Sequence, residues 1–73
     1  MIIFTENSII NTEGFTNFSF YKHNDEEWYI TCQTSVLSLI WKGKNKDKDE
    51  GKEIFDKIKV AILNKAEFFV VKE

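Results

Sequence analysis

The stretch 41-WKGKNKDKDEGKEIF-55 sets lysines against acids between two glycines, and its reading decides where a strand-rich chain gives way to a helix. Beyond it the apolar residues recur at helical spacing: on a wheel of about 100° per residue, Ile54, Phe55, Ile58, Ala61 and Ile62 share about one third of the circle. They are the expected core face of a helix over about 50–64. Asp47 or Asp49 can cap its start, acids crowd the first turn where the helix dipole favours them, and Glu53 is placed to pair with Lys57. Lys65 would fall in the middle of the apolar arc, so the helix is expected to end near Asn64, a residue tolerant of a left-handed cap. Residues 67–72, EFFVVK, return to strand composition and read as a short terminal strand, with a longer helix as the alternative.

Before the stretch, residues 1–42 read as strands. Ile2-Ile3-Phe4 and Ile9-Ile10 flank Thr5-Glu6-Asn7-Ser8, as two short strands around a tight turn would, and Asn11 to Gly14 form the next turn. In 15-FTNFSFYK-22, Phe18 and Phe20 fall on one face, Ser19 and Tyr21 on the other. His23 to Glu27 form a polar hairpin connection. Trp28, Ile30 and Cys32 then share a face opposite Tyr29, Thr31 and Gln33. In 36-VLSLIWK-42 strict alternation puts Leu37, Leu39 and Trp41 on one side, Val36, Ser38 and Ile40 on the other. Both sides are largely apolar, so this strand is expected to be covered twice. The turn near Gln33-Thr34-Ser35 has no strong signature, and one long bent strand is its alternative. Residues 43–49 are left as a charged, solvated connector.

At 73 residues the chain has room for one small domain, spanning 1–73, near the lower limit at which a hydrophobic core holds a fold unaided. Its 42% hydrophobic content, with 30% charge of both signs, is that of a globular chain, and help from a second subunit is a reasonable expectation at this size. The single cysteine, Cys32, excludes an internal disulfide and a two-cysteine metal knuckle, which fits a reducing, cytoplasmic setting. The start, MIIFTENSII, has no basic leader and is broken by polar residues, so neither a signal peptide nor a membrane span is expected. All ten basic residues are lysine, a bias that fits AT-rich coding in low-GC bacteria and their phages.

The chemistries that the opening stretch suggests fail on spacing. A phosphate loop needs G-x-x-x-x-G-K-[ST], whereas seven residues separate Gly43 from Gly51 and Lys52 is followed by Glu53 in place of a magnesium-binding hydroxyl. The segment from Asn45 resembles an EF-hand loop in that Asn45, Asp47, Asp49, Glu53 and Asp56 occupy its first, third, fifth, ninth and twelfth positions. It departs where that loop turns sharply: Glu50 stands at the glycine position, Gly51 comes one step late, and four lysines would sit against the cation. For a nucleic acid, Lys42, Lys44, Lys46, Lys48 and Lys52 are offset by Asp47, Asp49, Glu50 and Glu53, and arginine is absent. A single-stranded nucleic-acid binder using strand aromatics such as Phe18, Phe20, Trp28 and Trp41 stays as the alternative class, although aromatics at alternating strand positions are ordinarily core.

No catalytic set can be assembled. His23 stands among Asp25, Glu26 and Glu27 at a solvated turn, and Cys32 is in phase with Trp28 and Ile30 with no base placed beside it. No enzymatic activity, cofactor, metal or small-molecule substrate is expected. The apolar surplus points elsewhere: Val60 and Leu63 lie off the core arc of the helix, and Val36 and Ile40 lie on the second apolar side of their strand. These four are the candidate interface. The expectation is an α+β chain, with an antiparallel meander of about five strands, one amphipathic helix on one face and a short C-terminal strand. It would serve as a non-catalytic cytoplasmic interaction or accessory module, partnered by another protein or by itself as a homodimer, with no membrane partner and nucleic acid disfavoured.

Overall fold

The computed structural model describes residues 1–14, 17–33 and 36–71. Phe15 and Thr16 of the expected third strand, Thr34 and Ser35 of the unsigned turn, and Lys72 lie outside the described residues. The architecture is α+β: β1 (Ile2–Phe4), β2 (Ile9–Asn11), β3 (Asn17–Lys22), β4 (Glu27–Gln33), β5 (Leu37–Lys44), a 3-10 turn (Asn45–Asp47), α1 (Lys48–Leu63) and β6 (Phe68–Val70). The strands divide between two sheets. β3, β4 and β5 form an antiparallel meander, while β1 is central in a second sheet of order β2-β1-β6, antiparallel to β2 and parallel to β6. The terminal strand takes the free edge of β1 through Ile2 N–H to Glu67 O (2.9 Å) and Val71 N–H to Phe4 O (2.8 Å). Both edges of β1 are occupied, and among the described residues neither β2 nor β6 pairs with the meander, so the strands form two sheets of three in place of one of about five.

Local chemistry accounts for the turns. Thr5 donates its backbone N–H to Ser8 O at 2.8 Å, closing the first hairpin. Asn24 Oδ1 accepts the N–H groups of Glu26 and Glu27, both at 2.9 Å, so its side chain stands in for a backbone carbonyl in the β3–β4 turn. At the end of α1 the left-handed residue is Lys65 (φ 55°), one position beyond the expected Asn64. Ala66 N–H reaches Ala61 O (2.9 Å) and Lys65 N–H reaches Ile62 O (3.1 Å), the paired bonds of a Schellman cap.

One core joins the two sheets and the helix. Ile3 and Ile10 from the β2-β1-β6 sheet, Ile30, Cys32, Ile40 and Trp41 from the meander, Ile54 and Ile58 from α1, and Val71 after β6 are buried in one cluster. The helix keeps its expected face at Ile54 and Ile58, with Phe55 and Ala61 half-buried. Ile62 is a correction: it points within the arc but is 44% exposed, in the last turn of α1 where the chain leaves for β6. The expected Glu53–Lys57 pair is present at 3.3 Å, on side chains too exposed for it to contribute much.

β5 departs from strict alternation. Ile30 pairs with Trp41 but Thr31 pairs with Leu39, so Ile40 is the extra residue of a β-bulge. The bulge lets Ile40 and Trp41 be buried side by side and turns Leu39 and Leu37 to the opposite face, 43% and 60% exposed. Double coverage of this strand therefore does not hold for its leucines. The same segment shortens the expected connector. Gly43 and Lys44 belong to β5, and Lys48 and Asp49 already belong to α1, so only three residues of 3-10 turn join strand to helix.

That junction is built as a joint. Asn45 donates from Nδ2 to Asp25 O (2.8 Å), accepts the Trp28 indole N–H at Oδ1 (3.0 Å), and donates its own backbone N–H to Glu26 O (3.0 Å). It ties the β3–β4 turn to the start of the helix. The two glycines serve Trp41. A β-carbon at Gly43 would fall 2.5 Å from Cη2 of the Trp41 ring, and one at Gly51 would fall 2.6 Å from the same atom and 3.0 Å from Phe20 Cε1. The indole lies between two backbones that approach it closely only because neither carries a side chain.

Candidate interaction surface

The small β2-β1-β6 sheet is apolar on both faces. Its inner face contributes Ile3, Ile10 and Phe69 to the core. Because side chains alternate along a strand, the residues between these point outward. The pairing registers set Asn11, Ile2 and Phe68 in one cross-strand row and Ile9, Phe4 and Val70 in the next. Five of these six positions are large hydrophobics, and all five are exposed: Ile9 by 73%, Phe68 by 60%, Val70 by 47%, Ile2 by 39% and Phe4 by 37%. Phe4 and Phe68 meet edge to face at 6.5 Å. A contiguous exposed apolar face of this kind marks an interaction site far more strongly than scattered surface leucines do.

The four expected interface residues do not form one patch. Ile40 is a correction, a core residue that is 3% exposed because the bulge turns it inward. Val36, Val60 and Leu63 are exposed by 65%, 54% and 81%, the first on the approach to β5 and the other two at neighbouring i,i+3 positions of α1. Val60 lines a furrow of about 510 Å³ along the solvent side of the helix, whose other walls are Asp49, Lys52, Glu53, Asp56 and Lys57. Those side chains pair with each other, Lys52 with Asp56 and Glu53 with Lys57, so the furrow is the space between salt-bridged side chains.

The aromatics named for base stacking are turned to the core. Trp41 is buried, and Phe20 packs against Trp28 (5.2 Å), Phe55 (5.9 Å) and Trp41 (6.5 Å). Lys48 sits over the Trp28 ring at 4.7 Å. His23 stacks on Tyr29, with ring centroids 4.0 Å apart and planes within 6°, on the face of the meander away from the helix. No group of three His, Cys, Asp or Glu residues that could hold a metal ion exists among the described residues, and no helix there is long and apolar enough to cross a membrane.

Cys32 is fully buried on the core face of β4, and burial pushes its thiol up to about 11 from 9.0. The thiolate is the reactive form, so the folded side chain is suited to packing. Between pH 9 and 11 the unfolded thiol releases its proton while the folded one keeps it, so this contribution to stability is complete below that window and is lost through it. Between about pH 8.5 and about pH 10.5 the stability of the wild type relative to Cys32→Ala should fall by about 2 kcal/mol, measured by urea unfolding at each pH. A constant difference would show that the thiol is not desolvated.

No protein-family model, curated protein or solved structure matches the chain. The exposed face is therefore read from its own chemistry. Its signal was present in the sequence: IIF, II and FFVV are runs with apolar residues at both odd and even positions, as in 36–42.

Proposed function

We propose that this chain is a small, non-catalytic interaction module of the reducing cytoplasm, acting through self-association or a protein partner. The observation that carries the reading is the outward face of the β2-β1-β6 sheet, where Ile2, Phe4, Ile9, Phe68 and Val70 stand exposed together. Burial of that face against a second protein surface removes apolar area from water, at roughly 25 cal/mol for each Å². The buried, high-pKa thiol of Cys32 accords with a structural role and with a reducing compartment. The lysine bias accords with a low-GC bacterial or phage origin.

Affinity capture with the tagged chain from a low-GC bacterial lysate tests the reading, counting untagged copies of the chain as a possible catch. The wild type and Lys57→Glu should retain the same bound protein, and Phe68→Lys should lose it. Equal capture by all three, or recovery of nucleic acid alone with Phe68→Lys unimpaired, would overturn the proposal.

A further inference from the structure

We infer that the outward face of the β2-β1-β6 sheet is the interface of a two-fold homodimer in which two such sheets pack face to face. The inference rests on the interaction reading above and names its partner as a second copy of this chain. Three observations commit it to that occupant.

Charge is the first. None of the six outward positions carries one, Asn11 being the only polar member. In a two-fold interface the same patch appears on both sides, so any charge near the axis would meet its like. A face without charge can meet itself. A partner recognised through charge would need complementary groups that this face does not offer.

Area is the second. The five exposures on the sheet together amount to a little over two and a half whole residues, about 500 Å² at roughly 200 Å² for each large apolar residue. Two copies joined through this face would bury about 1,000 Å² in total, the size at which specific interfaces begin.

Geometry is the third. β2 and β6 are the edge strands and are three residues long, so pairing through their edges could add only a few hydrogen bonds. Face-to-face packing engages both rows of the grid at once, at the spacing of about 10 Å usual for stacked sheets.

Sedimentation equilibrium of the purified chain, from about 10 µM to about 1 mM, reads the proposal directly. Wild type should show a monomer–dimer equilibrium. Phe68→Lys and Ile9→Lys should each weaken it by about 100-fold or more, while Leu63→Lys leaves it unchanged. Ile9 is so exposed that its replacement does not threaten the fold, which guards against the loss of Phe68→Lys to misfolding. Amide chemical shifts of the wild type should change on dilution at residues 2, 4, 9, 68 and 70. A chain that stays monomeric throughout, a dimer disrupted by Leu63→Lys instead, or dilution shifts confined to α1 would each overturn the homodimer. A monomer that still captures another protein in a manner abolished by Phe68→Lys would overturn the homodimer alone and leave the interaction reading standing.

Discussion

Gly51→Ala should lower the unfolding free energy by about 2 kcal/mol, against the sign that helix propensity assigns to it. Gly51 lies in the second turn of α1, where alanine in place of glycine ordinarily stabilises by about 1 kcal/mol. Sterics decide otherwise. The new methyl group would stand 2.6 Å from Cη2 of Trp41 and 3.0 Å from Phe20 Cε1, and the first of these belongs to a rigid ring that is itself 4% exposed. Neither the indole nor the helix can retreat cheaply, because Gly43 holds the other side of the ring and Asn45 pins the start of the helix. Overpacking of this kind costs roughly 1–3 kcal/mol, occasionally more, and here it must also overcome the propensity gain. Denaturant unfolding checks the sign. In a Trp41→Leu background the same substitution should become neutral or stabilising, giving a coupling of about 2 kcal/mol or more between the two positions. An unconditional gain on Gly51→Ala would mean that the ring is not lodged between the glycines.

The two glycines show what the sequence could and could not disclose. Their spacing ruled out a phosphate loop, and Gly43, two residues from Trp41 on the same strand, shares its face by parity. Nothing local tied Gly51 to Trp41, because that contact joins residues ten apart through the path of a strand and a helix. The helix itself was legible, since Ile54 and Ile58 repeat at its own period and Lys65 interrupts the arc. So were the facing directions along β3 and β4, which depend only on parity, although burial does not follow parity throughout: Thr31, opposite Ile30 and Cys32, is buried as well. Ile40 was misplaced because a bulge depends on how β5 pairs with β4, and 36-VLSLIWK-42 carries no trace of that register. The exposed face of the small sheet was visible in principle. IIF and FFVV have apolar residues at both parities, but short runs of that kind also describe a strand buried on both sides, and only the fold distinguishes a covered face from an open one.

Ile3→Ala should cost about 4 kcal/mol, near the upper part of the range for a fully buried isoleucine, and should destabilise both sheets together. Ile3 is fully buried at the centre of β1, yet β1 shares no backbone ladder with the meander. Among the described residues, what joins the halves is side-chain packing: Ile3 and Ile10 on one side, Ile30, Cys32 and Ile40 on the other, with Ile54, Ile58 and Val71 in the same cluster. Removing three carbons from such a cluster loses their transfer free energy and opens a cavity that both sheets line. Native-state hydrogen exchange tells a shared core from two separate ones. Amides of Ile30 and Cys32 in β4 should lose protection in step with that of Ile3, and unfolding should keep a single transition. If exchange quickened only in β1, β2 and β6 while β4 kept its protection, the small sheet would be an independently opening unit. The exposed face on its outer side would then be presented by a part of the chain that moves apart from the rest. Equal losses in both sheets mean that the face is held by the whole core, as a preorganised binding surface requires.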